Sequence, residues 1–138
     1  MSATIAVSAL PDRLRVNGDG NVVLLGVRCG DCGTSFFGAV DHCRRCTSDN
    51  LDLGELGSGG ELYSYTVVYR AGADWTGPEP YALAEVVLPS GVAVTSRVAN
   101  WQEGAELQIG SHFDLVTETI GEDEQGQEQV VYVWRRPE

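Results

Sequence analysis

Two CxxC pairs, Cys29/Cys32 and Cys43/Cys46, hold every cysteine of this 138-residue chain within one short window, ten residues apart. Each CxxC turn lets two sulfurs point at a common centre. Gly33, directly after the first pair, suits a turn that brings backbone N–H groups near sulfur. Four thiolates so placed suit a tetrahedral ion with metal–sulfur bonds of about 2.3 Å. The competing chemistries are two disulfides or a thioredoxin-like redox pair. Both fit less well, because nothing points to an oxidising compartment and a redox CxxC seldom comes as two pairs in one loop. Zinc is the default ion, and four thiolates also suit iron. An all-thiolate shell leaves no open position for water or substrate, so the site reads as structural. A loop this small cannot build its own core, so metal binding supplies its folding free energy, on the order of 10 kcal/mol in comparable peptides. His42, beside Cys43, reads as a solvated loop histidine because four cysteines already complete the shell.

The chain is long enough for one ordinary domain, or for a small domain plus a metal module. A hydrophobic content of 43% is sufficient for a core and argues against wholesale disorder. Its formal net charge is −11, and four thiolates around one divalent ion add two further negative charges. Phosphate backbones repel such a chain unless clustered cations release counterions. All nine basic residues are arginines, and only Arg44/Arg45 and Arg135/Arg136 are adjacent. Nucleic acid is therefore not an expected partner, although OB barrels and zinc ribbons both occur among nucleic-acid binders. The longest apolar runs fall far short of the roughly 20 residues a membrane helix needs. The start, MSATIAVSALPDR, lacks the basic region of a signal peptide. The expected location is the cytoplasm.

Residues 1–20 are small and polar, and read as a loose arm. Asn21–Arg28 (NVVLLGVR) reads as a strand entering a ribbon, with Phe36–Val40 as its return strand and Leu51–Leu56 as its exit. Gly57-Ser58-Gly59-Gly60 is the best boundary, giving a ribbon over 21–56 and a second unit over 57–138. Beyond it the chain reads as β throughout. The strands are Glu61–Arg70, then Tyr81–Leu88 and Val92–Ala99 around the turn Pro89-Ser90-Gly91, then His112–Thr119 and Gln129–Arg135. An acidic tip, Gly121–Glu128, separates the last two. In Asn100–Gly110 a turn of helix would be interrupted by Gly104 and Gly110. Five strands with one longer connection between the third and fourth suit an OB-type barrel. The fold class is mainly β, a rubredoxin-like four-cysteine zinc ribbon followed by a five-stranded OB-fold barrel.

Several phrases in order carry a family resemblance: RCGDCGTSFF, CRRC, GSGGELYSYTVVYR, PYALAEVVLPSGV and ELQIGSHFDL. Over roughly residues 22–136 the chain resembles the zinc-ribbon/OB-fold acyl-CoA-associated proteins of domain of unknown function 35. It departs from them at its start, where many members carry a helical segment. The resemblance implies a non-catalytic accessory subunit of a thiolase-superfamily enzyme, either a thiolase or a lipid-transfer-protein-like aldolase of lipid or steroid side-chain degradation. It implies acyl-CoA at the shared interface, in a channel that the accessory chain helps to shape. A MaoC-type enoyl-CoA hydratase is the alternative partner, and an OB-fold nucleic-acid module the more distant reading.

Independent catalysis is not expected. The only histidines are His42 and His112, the cysteines are committed to metal, and no serine has a G-x-S-x-G context. The connection Arg70–Tyr81 is long and carries Trp75, which reads either as an anchor for a partner or acyl chain or as a cap on the barrel. The ribbon face around Phe36 and Phe37 is a second candidate contact. Arg97, Asn100 and Trp101 lie where the third barrel strand leaves. There arginine suits the phosphates of CoA and tryptophan its adenine, or else the pair is a salt-bridged strand arginine beside a core tryptophan.

Overall fold

The apolar run NVVLLGVR becomes the central strand of the ribbon, and its burial on both faces explains why it does not alternate with polar residues. The computed structural model describes residues 7–17, 21–70, 72–73 and 79–137. Within them every regular element is a strand: β1 Val7–Ser8, β2 Leu14–Val16, β3 Val22–Cys29, β4 Ser35–Phe37, β5 Leu51–Gly57, β6 Gly59–Val68, β7 Tyr81–Val87, β8 Ala93–Arg97, β9 His112–Glu122 and β10 Glu128–Arg135. Along one edge β3 pairs first with β2 and then with β4, and along the other with β5, all antiparallel. Gly26 sits where these strands crowd together. A Cβ there would fall 2.1 Å from the Phe36 carbonyl oxygen and 2.7 Å from Leu56 Cδ1, so only glycine fits.

Strands β6 to β10 form the barrel. The order β10-β9-β6-β7-β8 is antiparallel throughout. It closes where Val98, just past β8, meets Trp134 of β10 in a parallel bridge. The Ala99 N–H donates to the Trp134 carbonyl at 2.7 Å across this seam. Closing a five-stranded Greek-key sheet by a parallel contact between its third and fifth strands is OB-fold connectivity. Mean alternation places Ala82, Ala84 and Val86 of β7 inward, all fully buried.

Ribbon and barrel share one core. Leu14 and Leu24 from the ribbon side join Leu62, Val94, Phe113 and Trp134 from the barrel in one buried cluster. Only Ser58 separates β5 from β6, and its carbonyl accepts from Leu115 N–H of β9 at 2.8 Å.

Four local readings change. Over residues 7–17 the expected loose arm is tied down, with β1 beside β10, β2 beside β3, and Leu14 fully buried. The apolar Leu14 and Val16, rather than the glycines, decide this. The return strand is shorter than Phe36–Val40, because Gly38 turns the chain with φ of 77° directly after Phe37. Asn100–Gly110 holds no helix but separate turns, one closed by Ala105 N–H on the Gln102 carbonyl with Gly104 at φ of 92°, another by Ser111 N–H on the Gln108 carbonyl. Strand β9 runs past Thr119 to Glu122, and the acidic tip shrinks to a turn in which Asp123 Oδ1 accepts from the N–H groups of Gln125 and Gln127. Among the described residues no helix is long and apolar enough to cross a membrane.

Candidate metal centre and partner-facing residues

Both CxxC pairs fold into the same turn. In the first, Cys29 N–H donates to the Thr34 carbonyl and Gly33 N–H to the Cys29 carbonyl; in the second, Cys43 N–H donates to Ser48 and Thr47 N–H to Cys43. The first cysteine of each pair is buried and the second exposed. The N–H groups of Arg45 and Cys46 point at Cys43 Sγ, each at 3.4 Å, as expected of a turn that stabilises a thiolate. The four sulfurs lie within 4.8 Å of one another. Cys29 and Cys46 are 3.5 Å apart, and Cys32 and Cys43 are 3.6 Å apart. A tetrahedron with 2.3 Å bonds has edges of about 3.8 Å, so the donor set fits a tetrahedral metal ion. All four are free thiols.

The second cysteines of the two pairs are displaced from the ordinary thiol value in opposite directions. Thr34, through its side chain and then its backbone, holds Cys32 down to about 6. Cys46 is pushed up to about 12: its bond to the Ser48 backbone lowers it, but Cys29, burial, Cys43 and Cys32 together outweigh that.

A clasp that sequence reasoning missed joins the two turns. Asp31 accepts from the Ser48 hydroxyl and from Asn50 Nδ2, and Ser48 Oγ accepts from Asn50 N–H. The Ser48 and Asn50 bonds hold the Asp31 carboxyl below its ordinary value. By linkage this contribution is present above the ordinary carboxylate pKa and fades as pH falls through the lowered one. The signal was legible as the run Ser48-Asp49-Asn50 behind the second turn, residue types that cap turns by local hydrogen bonds.

Gly33 and Thr47 occupy equivalent places, with φ of 80° and 66°. Glycine adopts this region freely, whereas a β-branched residue is strained there. Thr47→Gly is expected to raise stability by about 0.5–1 kcal/mol, strain relief exceeding the entropy glycine adds to the unfolded chain. A lower denaturation midpoint for the metal-loaded variant would contradict this.

The other sequence-predicted residues do not converge on one site. Phe37 is half-buried between ribbon and barrel, its ring edge-on to Tyr132 at 5.5 Å and the Arg13 guanidinium 5.5 Å above it. Phe36, its neighbour on β4, pairs with Val27 and is half-buried. Arg70 is exposed just after β6, Tyr81 opens β7 half-buried, and Trp75 lies outside the described residues. Arg97 is ion-paired with Glu118 of β9. Asn100 clasps the end of β10, accepting from Arg136 N–H at 2.9 Å and donating to its carbonyl at 3.2 Å. Trp101 packs on the core and donates from Nε1 to the Ala105 carbonyl at 2.9 Å. His112 shares Asp114 with Arg135, at 3.1 and 3.2 Å, on an exposed surface.

Two family models match in tandem, a rubredoxin-like zinc ribbon domain of ChsH2 over residues 23–52 and a ChsH2 C-terminal OB-fold domain over residues 54–118. A DUF35 domain-containing scaffold protein of Methanocaldococcus jannaschii is 31% identical over 101 residues, spanning 72% of this chain and 71% of that one. The chain belongs to the DUF35 family. Another relative is the benzoylsuccinyl-CoA thiolase subunit BbsA of Geobacter metallireducens, 32% identical over 72% of this chain and 71% of that one. A solved chain of an Ltp2-ChsH2(DUF35) aldolase superposes with a TM-score of 0.65, covering 83% of this DUF35 chain and 84% of its own length at 24% identity. That similarity supports the shared fold.

Proposed function

We propose that this DUF35 chain is the accessory subunit of a thiolase-superfamily acyl-CoA enzyme that breaks carbon–carbon bonds, by retro-aldol or thiolytic cleavage, in lipid or steroid side-chain degradation. The observation that carries this reading is a metal site closed by four thiolates, built into a ribbon that shares its core with the barrel. Such a site stabilises a surface rather than reacting with substrate. Relatives named as a thiolase subunit and as scaffold proteins support the same role. The ion is zinc, held by Cys29, Cys32, Cys43 and Cys46.

In this reading the nucleophile and base belong to the partner, a thiolase or a lipid-transfer-protein-like aldolase. This chain supplies one wall of the acyl-CoA channel, in the cytoplasm. Residues 1–20 are its N-terminal arm, 21–56 its ribbon and 57–138 its barrel, and the barrel's Arg70–Tyr81 connection, with Trp75, is a contact for the partner. Phe36 adds a contact from the ribbon. Arg97 would reach a CoA phosphate only by leaving Glu118, an exchange of one charged hydrogen-bond partner for another.

The test is reconstitution. Purified alone, the chain is expected to show no turnover of acyl-CoA thioesters, and co-expression with a thiolase-fold subunit of its own genome is expected to give a stable complex. Turnover by the isolated chain, abolished by His112→Ala, would refute the accessory role.

A further inference from the structure

The outer run of β6 stands out from the rest of the surface. Leu62–Tyr69 (LYSYTVVY) holds no charged residue in a chain of which 21% is charged. Within it Tyr63, Tyr65 and Tyr69 are 66%, 44% and 65% exposed. The other large exposed apolar side chains among the described residues, Leu53, Ile109 and Ile120, stand singly on other segments.

The backbone beneath these tyrosines is also half unpartnered. Strand β6 pairs with β9 only through Gly59–Glu61, and the contact ends with the exchange between Leu62 and the Gly110–Ser111 turn. From Tyr63 to Val68, β7 is its one ladder partner among the described residues. The ladder to β7 slips at Tyr63, which has no opposite number. An open strand edge is ordinarily guarded by charge or proline. Here there is a bulge, but neither lysine, glutamate nor proline within the run. Tyrosine in such a place offers large contact area with a hydroxyl that water tolerates when the surface is free, the composition of an interface centre.

We propose that the tyrosine-bearing edge of β6, Tyr63 to Tyr69, is the docking surface for the thiolase-fold subunit, a proposal that rests on the accessory role above. Charge selects this occupant over a second copy of the chain. Two copies would each bring a net charge of −11 to the contact, whereas a larger subunit can meet the uncharged strip with a neutral or basic surface. The strip runs directly into the exposed Arg70, which follows Tyr69 in the chain.

The experiment uses the full chain, metal-loaded and co-expressed with each thiolase-fold subunit encoded in its own genome. The variants are Tyr63→Ala/Tyr69→Ala, and Tyr65→Lys to place a charge on the edge. Ile120→Ala serves as an exposed apolar control. Far-UV circular dichroism and metal content establish that each variant folds. The dissociation constant is expected to rise at least about 30-fold for the tyrosine variants, consistent with loss of interface anchors. It should change less than about threefold for Ile120→Ala. Hydrogen exchange gives an independent readout: amides of Tyr63–Val68 that are open in the free chain are expected to become protected in the complex. If the wild-type complex forms and folded tyrosine variants bind as well as wild type, the docking surface is overturned while the accessory role stands. If no thiolase-fold subunit binds the wild type, both fall. If the free chain is a dimer that Tyr63→Ala/Tyr69→Ala dissociates, the occupant is a second copy and the proposal fails. If the complex is unaffected but the variants lose protection by an added acyl-CoA, the strip lines the substrate channel and the docking assignment is likewise overturned.

Discussion

Replacing Cys43 with serine is expected to abolish stable metal binding and unfold the ribbon. Cys43 is fully buried, and it receives the N–H groups of Arg45 and Cys46. A serine hydroxyl at that place stays protonated and is a poor ligand for an ion that three thiolates hold. The free energy at stake is on the order of 10 kcal/mol for a structural zinc site. The variant should therefore contain well under one metal equivalent by elemental analysis. The wild type, purified without added metal, should contain about one equivalent of zinc. The loss should not stop at the turns. Leu24 and Leu56 of the ribbon strands belong to the barrel core, so releasing the ribbon exposes part of that core. Acidification should act in the same direction, since protons compete with the ion for sulfur and affinity falls as pH falls. Full metal content and an unchanged denaturation midpoint in Cys43→Ser would show that the ion does not hold the ribbon.

The second large effect is expected at the barrel seam. Trp134 is fully buried, donates from Nε1 to the Val94 carbonyl at 3.2 Å, and carries the backbone bridge to Val98 that closes the barrel. Trp134→Ala removes the largest side chain of the core together with its hydrogen bond to the Val94 carbonyl, for an expected loss of about 3–5 kcal/mol. Trp134→Phe keeps most of the volume and loses the hydrogen bond, so it should cost distinctly less. Urea denaturation of both variants checks this, and equal losses would mean that packing at the seam contributes little.

The metal centre was readable because its information is local. A CxxC spacing dictates a turn, the turn dictates where two sulfurs point, and the second pair repeats the geometry within the same loop. The strands were readable for a similar reason, since alternation and β-branched content act over a few residues. Misplaced ends fell at positions where one residue reversed the trend, such as Gly38 after β4. Residues 7–17 were misread because polarity and glycine content describe an unpaired segment well, and say nothing of a free edge on β3 waiting to be paired. The individual contacts were less legible still. Phe37 faces Tyr132, and Arg97 finds Glu118, on strands far away in the chain.

By itself the sequence determined the pairing of four cysteines in one loop, the order ribbon then barrel, and the strongly acidic charge, each through spacing, period or composition. The tertiary structure alone decided that ribbon and barrel share one core, that a parallel bridge closes the barrel, and that the tyrosines of β6 are left outward on an open edge. The physical reason is that burial belongs to pairs of surfaces. Whether Leu14 is core, or Tyr63 is bare, depends on which strand arrives beside it, and that choice rests on the summed packing of segments too distant for any local pattern to record.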